Sequence, residues 1–384
     1  MSTNYNSGIV TDGLVLYCDT GNTRKSWKGK PTTNIVPDMS LIGMGQGLTV
    51  TYVGLENGWK KYSISGTWTG GGYPYSMNVD GVTFAAGTYY STSCYIKTNV
   101  PSKFANVFTG MNYVNQPMND SGTSFSVTQS DGSIFVGRSG FAYTSATSQV
   151  GYLVSNPNVG QVFTAATDFV YIKSGQIELG TFPTPFVAGT RSTTQAILDL
   201  TNNNTLTATS LTYSSDGTFS FNGSSDVITI PGSGVLNISS AITASAWVYY
   251  VSGNGRFLQK DGPPYTRCWE MGGYAGTFRT ELWHSDGTTL GAPTGNALAV
   301  NGWTHCVMTF DGINQVMYQN GVAITTTSFP GNIRTDVNTP VFIGGYWGGE
   351  YFNGKVGNVQ IYNRALSANE ITQNFNALRG RYGL

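Results

Sequence analysis

Helical periodicity is almost absent from this chain, and that absence constrains its fold more than any other feature. Apolar and β-branched residues alternate in short runs, and clusters of Gly, Asn, Asp, Ser and Thr interrupt them about every ten residues. The pattern predicts an all-β protein built of sandwiches. In WTHCVMTFDGINQVMYQNGVAI (303–324), Cys306, Met308 and Phe310 fall on one strand face. A second strand follows Asp311-Gly312 and meets a third across Asn320-Gly321, a pair that favours a type I′ hairpin because both residues tolerate positive φ. Only LSANEITQNFNALRGRYGL reads as a helix. Ser367 and Glu370 make a capping box, Ile371, Phe375 and Leu378 form one apolar stripe, and Gly380 offers a stop.

The first strand poses a pairing problem. TDGLVLYCDTGNTRKSW (11–27) reads as a core strand that stops abruptly, with no partner at hairpin distance. Length suggests roughly two or three domains. Charged residues are 10% of the chain, 20 basic against 20 acidic, well under the roughly 25% of ordinary domains. The overall charge therefore points to no nucleic acid or other polyanion. No 18-residue apolar run exists to span a membrane, and MSTNYNSGIV lacks the basic and apolar regions of a signal peptide, so folding in a cytosol is expected. Cys18, Cys94, Cys268 and Cys306 are too scattered for a disulfide framework or a zinc site, and read as buried free thiols.

Several motifs occur in one order: FNGSSDVITIP (221–231), ITASAWVYY (242–250), NGWTHCVMTFDG (301–312), YQNGVAI, and FNGKVGNVQIYNRALSANEI (352–371). Together they resemble the concanavalin A-like, laminin G-type jelly roll. The resemblance implies two antiparallel sheets packed face to face, with ligand loops at the rim. Members often begin with a strand similar to GLVLYCDTGN and continue soon afterwards, whereas here about 170 residues intervene before ILDLTNNNTLTATSLTYSSDGTFSFNG. This gives a discontinuous sandwich of residues 1–30 and 192–384, interrupted by a second domain at 31–191. The insert opens with TTNIVPDMS and closes with DFVYIKSGQIELGTFPTPFVAGTR (168–191), a frame that resembles the carbohydrate-binding jelly rolls of glycanases and phage virion proteins.

Chemistry is sparsely represented. Retaining glycosidases need two carboxyl groups roughly 5 Å apart, and the E-x-D-x-x-E spacing by which sandwich glucanases supply them does not occur. Glu270 and Glu281 are able to face each other across a hairpin and provide the alternative of a depolymerase. His305 reads as a framework histidine. Relatives often carry two aspartates before the last core strand, where this chain has Gly357 and Asn358, which removes charge that calcium wants. Asp226 and Asp311 match other acidic positions of the family and stay as calcium candidates, although both sit where Asp caps its own turn. No other cofactor is implied. Glycan candidates are aromatics held among glycines: Trp68, Tyr73 and Tyr75 in WTGGGYPYS, and Tyr346, Trp347 and Tyr351 beside Glu350 in GGYWGGEYF. These rings either meet a ligand or fill sandwich ends and subunit interfaces.

The ending NFNALRGRYGL is similar to tails of predicted structural proteins of tailed bacteriophages that carry laminin G-type domains. The resemblance implies a non-enzymatic virion structural protein, a fibre, tail appendage or capsid decoration, assembled in the host cytoplasm. Its expected partners are other virion proteins, further copies of itself and bacterial surface glycans, with no nucleic acid and no membrane insertion. A bacterial surface adhesin is the remaining alternative.

Overall fold

The strand Leu14–Asp19 pairs antiparallel with Asn353–Tyr362, Tyr17 opposite Gln360 and Cys18 opposite Val359. Alternation along LVLYCD sends Leu16 and Cys18 into the principal core and Tyr17 to the other face of the sheet. The computed structural model describes residues 8–22, 25–28, 32–35, 40–43, 46–71, 75–78, 84–112, 118–143, 149–180, 183, 186, 188, 190–213, 218–262, 266–289, 293–345 and 349–384. The chain forms two compact units: Met1–Pro31 with Arg191–Leu384, hereafter the split unit, and Thr32–Thr190, the continuous unit.

In the split unit two sheets enclose one core. An eight-stranded sheet runs Thr212–Tyr213, Phe219–Asn222, Asn353–Tyr362, Ile242–Ser252, Trp303–Phe310, Asn314–Gln319, Val322–Ser328, with Leu14–Asp19 also on Asn353–Tyr362. A seven-stranded sheet runs Thr207–Thr209, Val227–Ile230, Val341–Ile343, Gly255–Lys260, Trp269–Tyr274, Thr277–Leu282, Thr294–Ala297. Phe219, Ala246, Cys306 and Ile361 of the first pack against Ile228, Phe257 and Met271 of the second. The architecture is the all-β sandwich with one short helix that the periodicity predicts, with two antiparallel sheets packed face to face as the concanavalin A-like resemblance implies. Asn320 and Gly321 take φ of 50° and 81°, the hairpin conformation expected of that pair. All four cysteines are free and buried.

The helix Ala368–Leu378 covers the far face of the eight-stranded sheet. Its capping box is formed: the Ser367 hydroxyl accepts from Glu370 N, and the Glu370 carboxylate accepts from Ser367 N at 2.9 Å. The stop expected at Gly380 moves. The chain makes one further turn, Arg379–Tyr382, and Gly383 takes the left-handed conformation at φ 76°. The extra turn brings Tyr382 onto Trp247, ring centroids 4.3 Å apart, and lets Arg381 pair with Asp19 of the first strand. No helix among the described residues is long and apolar enough to cross a membrane.

The continuous unit has its own core, including Tyr62, Ile64, Cys94, Ile96, Phe108 and Val136. Its large sheet runs Val162–Phe163, Trp59–Thr67, Phe169–Leu179, Tyr89–Thr98, Ile134–Tyr143, Met118–Thr128, with Leu48–Glu56 also paired to Trp59–Thr67. A small sheet runs Ser40–Gly43, Tyr75–Asn78, Gln149–Pro157, Phe104–Asn112. At the two ends of this unit the hydroxyls of Thr33 and Thr190 lie 3.1 Å apart.

Candidate functional site

Of the two sheets of the split unit, the helix-backed one is occupied on both faces, by the core and by the helix. The outward face of the seven-stranded sheet is the remaining sheet surface, and pairing defines it. Thr207 lies opposite Thr229, Thr229 opposite Phe342, Phe342 opposite Gln259, Gln259 opposite Glu270, and Glu270 opposite Glu281. Directly opposed residues of an antiparallel sheet point the same way. One row therefore carries two hydroxyls, a ring, an amide and two carboxylates, while the neighbours Ile228, Ile343, Leu258 and Met271 point into the core.

Over the first half of this row lies a cleft of about 600 Å³. Thr209, Thr229 and Phe342 form its floor, Asn338 and Thr339 one wall, and Tyr351 another part of its lining. Gln259 stands directly beside Phe342, has 0% of its surface exposed, and has no hydrogen-bond partner for either amide atom among the described residues. A buried amide with neither donor nor acceptor engaged costs about 1–3 kcal/mol per unsatisfied group. Asp261, two residues on, is 2% exposed with Oδ1 unpartnered. Burial pushes its carboxyl up to about 6 against the pull of Arg267, whose Nε is 3.9 Å away, while Glu270 adds a smaller upward push. Lys260 donates to the Thr339 carbonyl at 2.6 Å, and burial lowers its affinity for the proton.

The second half of the row is charged and internally neutralised. Arg256 pairs with both Glu270 and Glu350, and Arg279 pairs with Glu281. Gly272 makes the first of these pairings fit, because a Cβ there would lie 3.4 Å from Arg256 Cγ and 2.8 Å from the Gly255 carbonyl oxygen. The two glutamates do face each other across the hairpin, yet each is engaged by a guanidinium.

The sequence candidates have separate fates. Tyr351 lines the cleft and is bridged to the Arg256 backbone, whereas Glu350 lies with Arg256, Glu270 and Arg279 in the charged half of the row. Tyr346 and Trp347 lie outside the described residues, as does Tyr73, and Tyr75 opens the strand Tyr75–Asn78. Trp68 corrects the expectation of a solvent-facing ring: it is 2% exposed and belongs to the core of the continuous unit. Its position follows from alternation, since Tyr62, Ile64 and Trp68 share one face across Gly66.

The two calcium candidates are turn caps on different sheets. Asp226 accepts from Asn222 N at 3.0 Å, and burial raises its carboxyl despite that bond. Asp311 accepts from Ile313 N at 2.8 Å and from Asn314 N at 2.6 Å. Among the described residues no group of three or more His, Cys, Asp or Glu is placed to hold a metal ion. The departure at Gly357 and Asn358 has a packing reason. A Cβ on Gly357 would stand 2.3 Å from the Tyr382 hydroxyl, and buried Asn358 donates to the Tyr17 hydroxyl at 3.2 Å. His305 is buried, stacked on Trp247 at 4.8 Å, and 2.9 Å from the Ser245 hydroxyl, and burial lowers its pKa to about 3. It is a framework residue.

Sequence reasoning passed over Gln259, Phe342 and Thr229. Phe257, Leu258, Gln259 and Lys260 are all buried, and the bulge between Arg256 and Leu258 breaks the alternation that would have assigned Gln259 to the outward face.

Residues 221–372 match the family model described as the concanavalin A-like lectin/glucanases superfamily. Among solved structures, the binding domain of Paraclostridial Mosquitocidal Protein 1 superposes with a TM-score of 0.40 at 18% identity, over 47% of this chain and 49% of that one. The ligand-binding domain of botulinum neurotoxin serotype D, in complex with N-acetylneuraminic acid, superposes with a TM-score of 0.41 at 12% identity, over 48% and 49%. Domain 4 of AbnA, an extracellular arabinanase from Geobacillus stearothermophilus, in complex with arabinotriose, gives 0.37 at 20% identity over 48% and 92%. The chain thus spans about half the length of the two toxin domains. No curated protein matches it in sequence.

Proposed function

We propose that this protein binds glycans without cleaving them, through the cleft on the outward face of the seven-stranded sheet, and serves as a structural component of a tailed-phage particle. The observation that carries the binding reading is the cleft itself, whose lining offers the Thr209, Thr229 and Thr339 side chains, Asn338 and the rings of Phe342 and Tyr351. A mainly apolar hollow with a few convergent polar groups is the ordinary form of a small-ligand site. A saccharide presents hydroxyls that both donate and accept, which suits the Thr and Asn side chains of the lining, and the hollow's rings suit the C–H faces of a pyranose. Binding without cleavage is supported by the guanidiniums on Glu270, Glu281 and Glu350. The particle role, as fibre, tail appendage or capsid decoration, rests on the motifs at the two ends of the sequence. Many copies on one particle would turn weak sites into firm attachment.

The test is an array of bacterial surface saccharides probed with the full chain, followed by mass analysis of bound glycans. Asn338→Ala and Tyr351→Ala are each expected to weaken binding about tenfold, the size of one lost hydrogen-bonding or ring contact. Released fragments that disappear with Glu270→Gln would replace this reading with a depolymerase. Mass spectrometry of purified virions from an infected culture decides the particle role.

A further inference from the structure

We propose that the solvent face of the large sheet in the continuous unit binds an extended, carboxylated polysaccharide, a site separate in residues and in ligand charge from the cleft. The overall charge balance of the chain hides a local concentration. On one face of this sheet Lys61 lies opposite Tyr171, and Tyr171 opposite Lys97. In the next row Lys173 lies opposite Tyr95, and Tyr95 opposite Phe135. Phe169, Trp59 and Phe125 point the same way; Trp59 and Tyr171 are buried beneath the lysine chains, at 8% and 9% exposure, and the other four rings are half-buried, outside the unit's core cluster. A partly open ring surface of this kind is one that a ligand can cover.

The lysines are arranged over the rings. Lys61 Nζ is 3.9 Å from the centroid of Phe169, Lys97 Nζ is 4.5 Å from Trp59 and 5.3 Å from Tyr171, and Lys173 Nζ is 5.6 Å from Trp59. Cation–π attraction holds the ammonium groups there while leaving their protons directed outward. Acids among the described residues nearby are Glu56, taken by Lys61 at 2.7 Å, and Asp131, taken by the Ser133 hydroxyl at 2.6 Å. Lys97 also acts on both of these carboxylates, so three ammonium groups face two acids and the spot keeps net positive charge, with Lys173 exposed. Lys97 and Lys173 sit on adjacent strands, about 5 Å between backbones, and both reach the Trp59 ring. They form one compact cationic spot beside the row of rings, which a carboxylated sugar can occupy while its linked neighbours lie along the rings.

Beside the lysines lies an apolar bed. Tyr95 and Phe135 have centroids 4.9 Å apart, and Phe125 and Phe135 5.4 Å apart, at interplanar angles of 38° and 43°. Gly137 opens the space for it, since a Cβ there would meet the Phe125 ring at 2.5 Å. Rings tilted against one another form a continuous mosaic suited to the C–H faces of linked sugars. Successive nucleobases instead take separate, accessible ring planes. Lysine, a rotatable point charge, suits carboxylates dispersed along a chain better than the fixed fork that arginine offers to phosphate.

The experiment is affinity electrophoresis of the full chain against polygalacturonate, hyaluronate and polysialate, with dextran and oligothymidylate alongside, and circular dichroism to confirm that each variant is folded. At least one carboxylated polymer is expected to retard the protein, less so as salt rises, and dextran to retard it less. Lys97→Ala combined with Lys173→Ala should weaken the interaction about tenfold, from two exposed charge pairs, and arginine at both positions should restore most of it. Phe135→Ala should weaken it several-fold although it removes no charge. Tyr351→Ala, a change in the cleft lining, should leave it unchanged, which separates this face from the cleft. Failure of all three carboxylated polymers to retard the protein overturns the proposal, as does a double alanine variant that binds normally. Tighter binding of oligothymidylate would overturn it in favour of a nucleic-acid surface.

Discussion

Two buried titrating side chains in the split unit give opposite pH dependences. His305 is neutral in the fold down to about pH 3, whereas an ordinary histidine protonates near 6.5. Between those values the unfolded chain binds the extra proton, so this contribution is full above 6.5 and is lost as the pH falls toward 3. Asp261 titrates near 6 in the fold and near 3.8 in its ordinary state, so its contribution is present below 3.8 and is lost as the pH rises through 6. The two slopes oppose each other between about 4 and 6. Asp261→Asn leaves His305 unopposed: the melting temperature of the variant should fall more steeply than wild type from pH 6 to pH 4. Equal slopes would show that Asp261 is not held protonated. At Gly357, alanine places a methyl group against Tyr382. The expected cost is about 2 kcal/mol, the range of overpacked cores, read by urea denaturation as an earlier midpoint with unchanged slope.

Elements that depend on neighbours in sequence were legible, and those that depend on distant partners were not. The Asn320-Gly321 hairpin and the Ser367–Glu370 capping box are each specified by residues a few positions apart, and both are formed. Ser367→Ala should cost about 1 kcal/mol, with the loss seen in thermal melts and no change in sheet content by circular dichroism. The helix end was misplaced because Gly380 satisfies the local rule, while burial of Tyr382 on Trp247, a strand residue far back in the chain, carries the turn on to Gly383. Trp68 was readable from period two yet was judged by its glycine surroundings. Most of the cross-strand row was not readable. Gln259 sits in a four-residue run without alternation, and its neighbours Phe342 and Glu270 come from strands that only pairing across the sheet brings beside it.

At the scale of the whole molecule, each unit has its own core, and the ends of the continuous one are joined by the Thr33–Thr190 hydroxyl contact. Replacing residues 32–190 by a short Gly/Ser linker should leave a split unit that melts cooperatively and keeps cleft-dependent glycan binding. A molten or aggregated product would show that the two segments need the continuous unit to meet. The pairing of Leu14–Asp19 with Asn353–Tyr362 also sets a schedule for synthesis. The two strands are about 340 residues apart, so at roughly 5–20 residues per second the first strand leaves the ribosome many seconds before its partner exists. During that interval the whole of 32–190 is made and free to fold, while the apolar LVLYC edge waits unpaired. Closure of the larger sandwich therefore waits on the emergence of Asn353–Tyr362, long after the continuous unit has been free to fold.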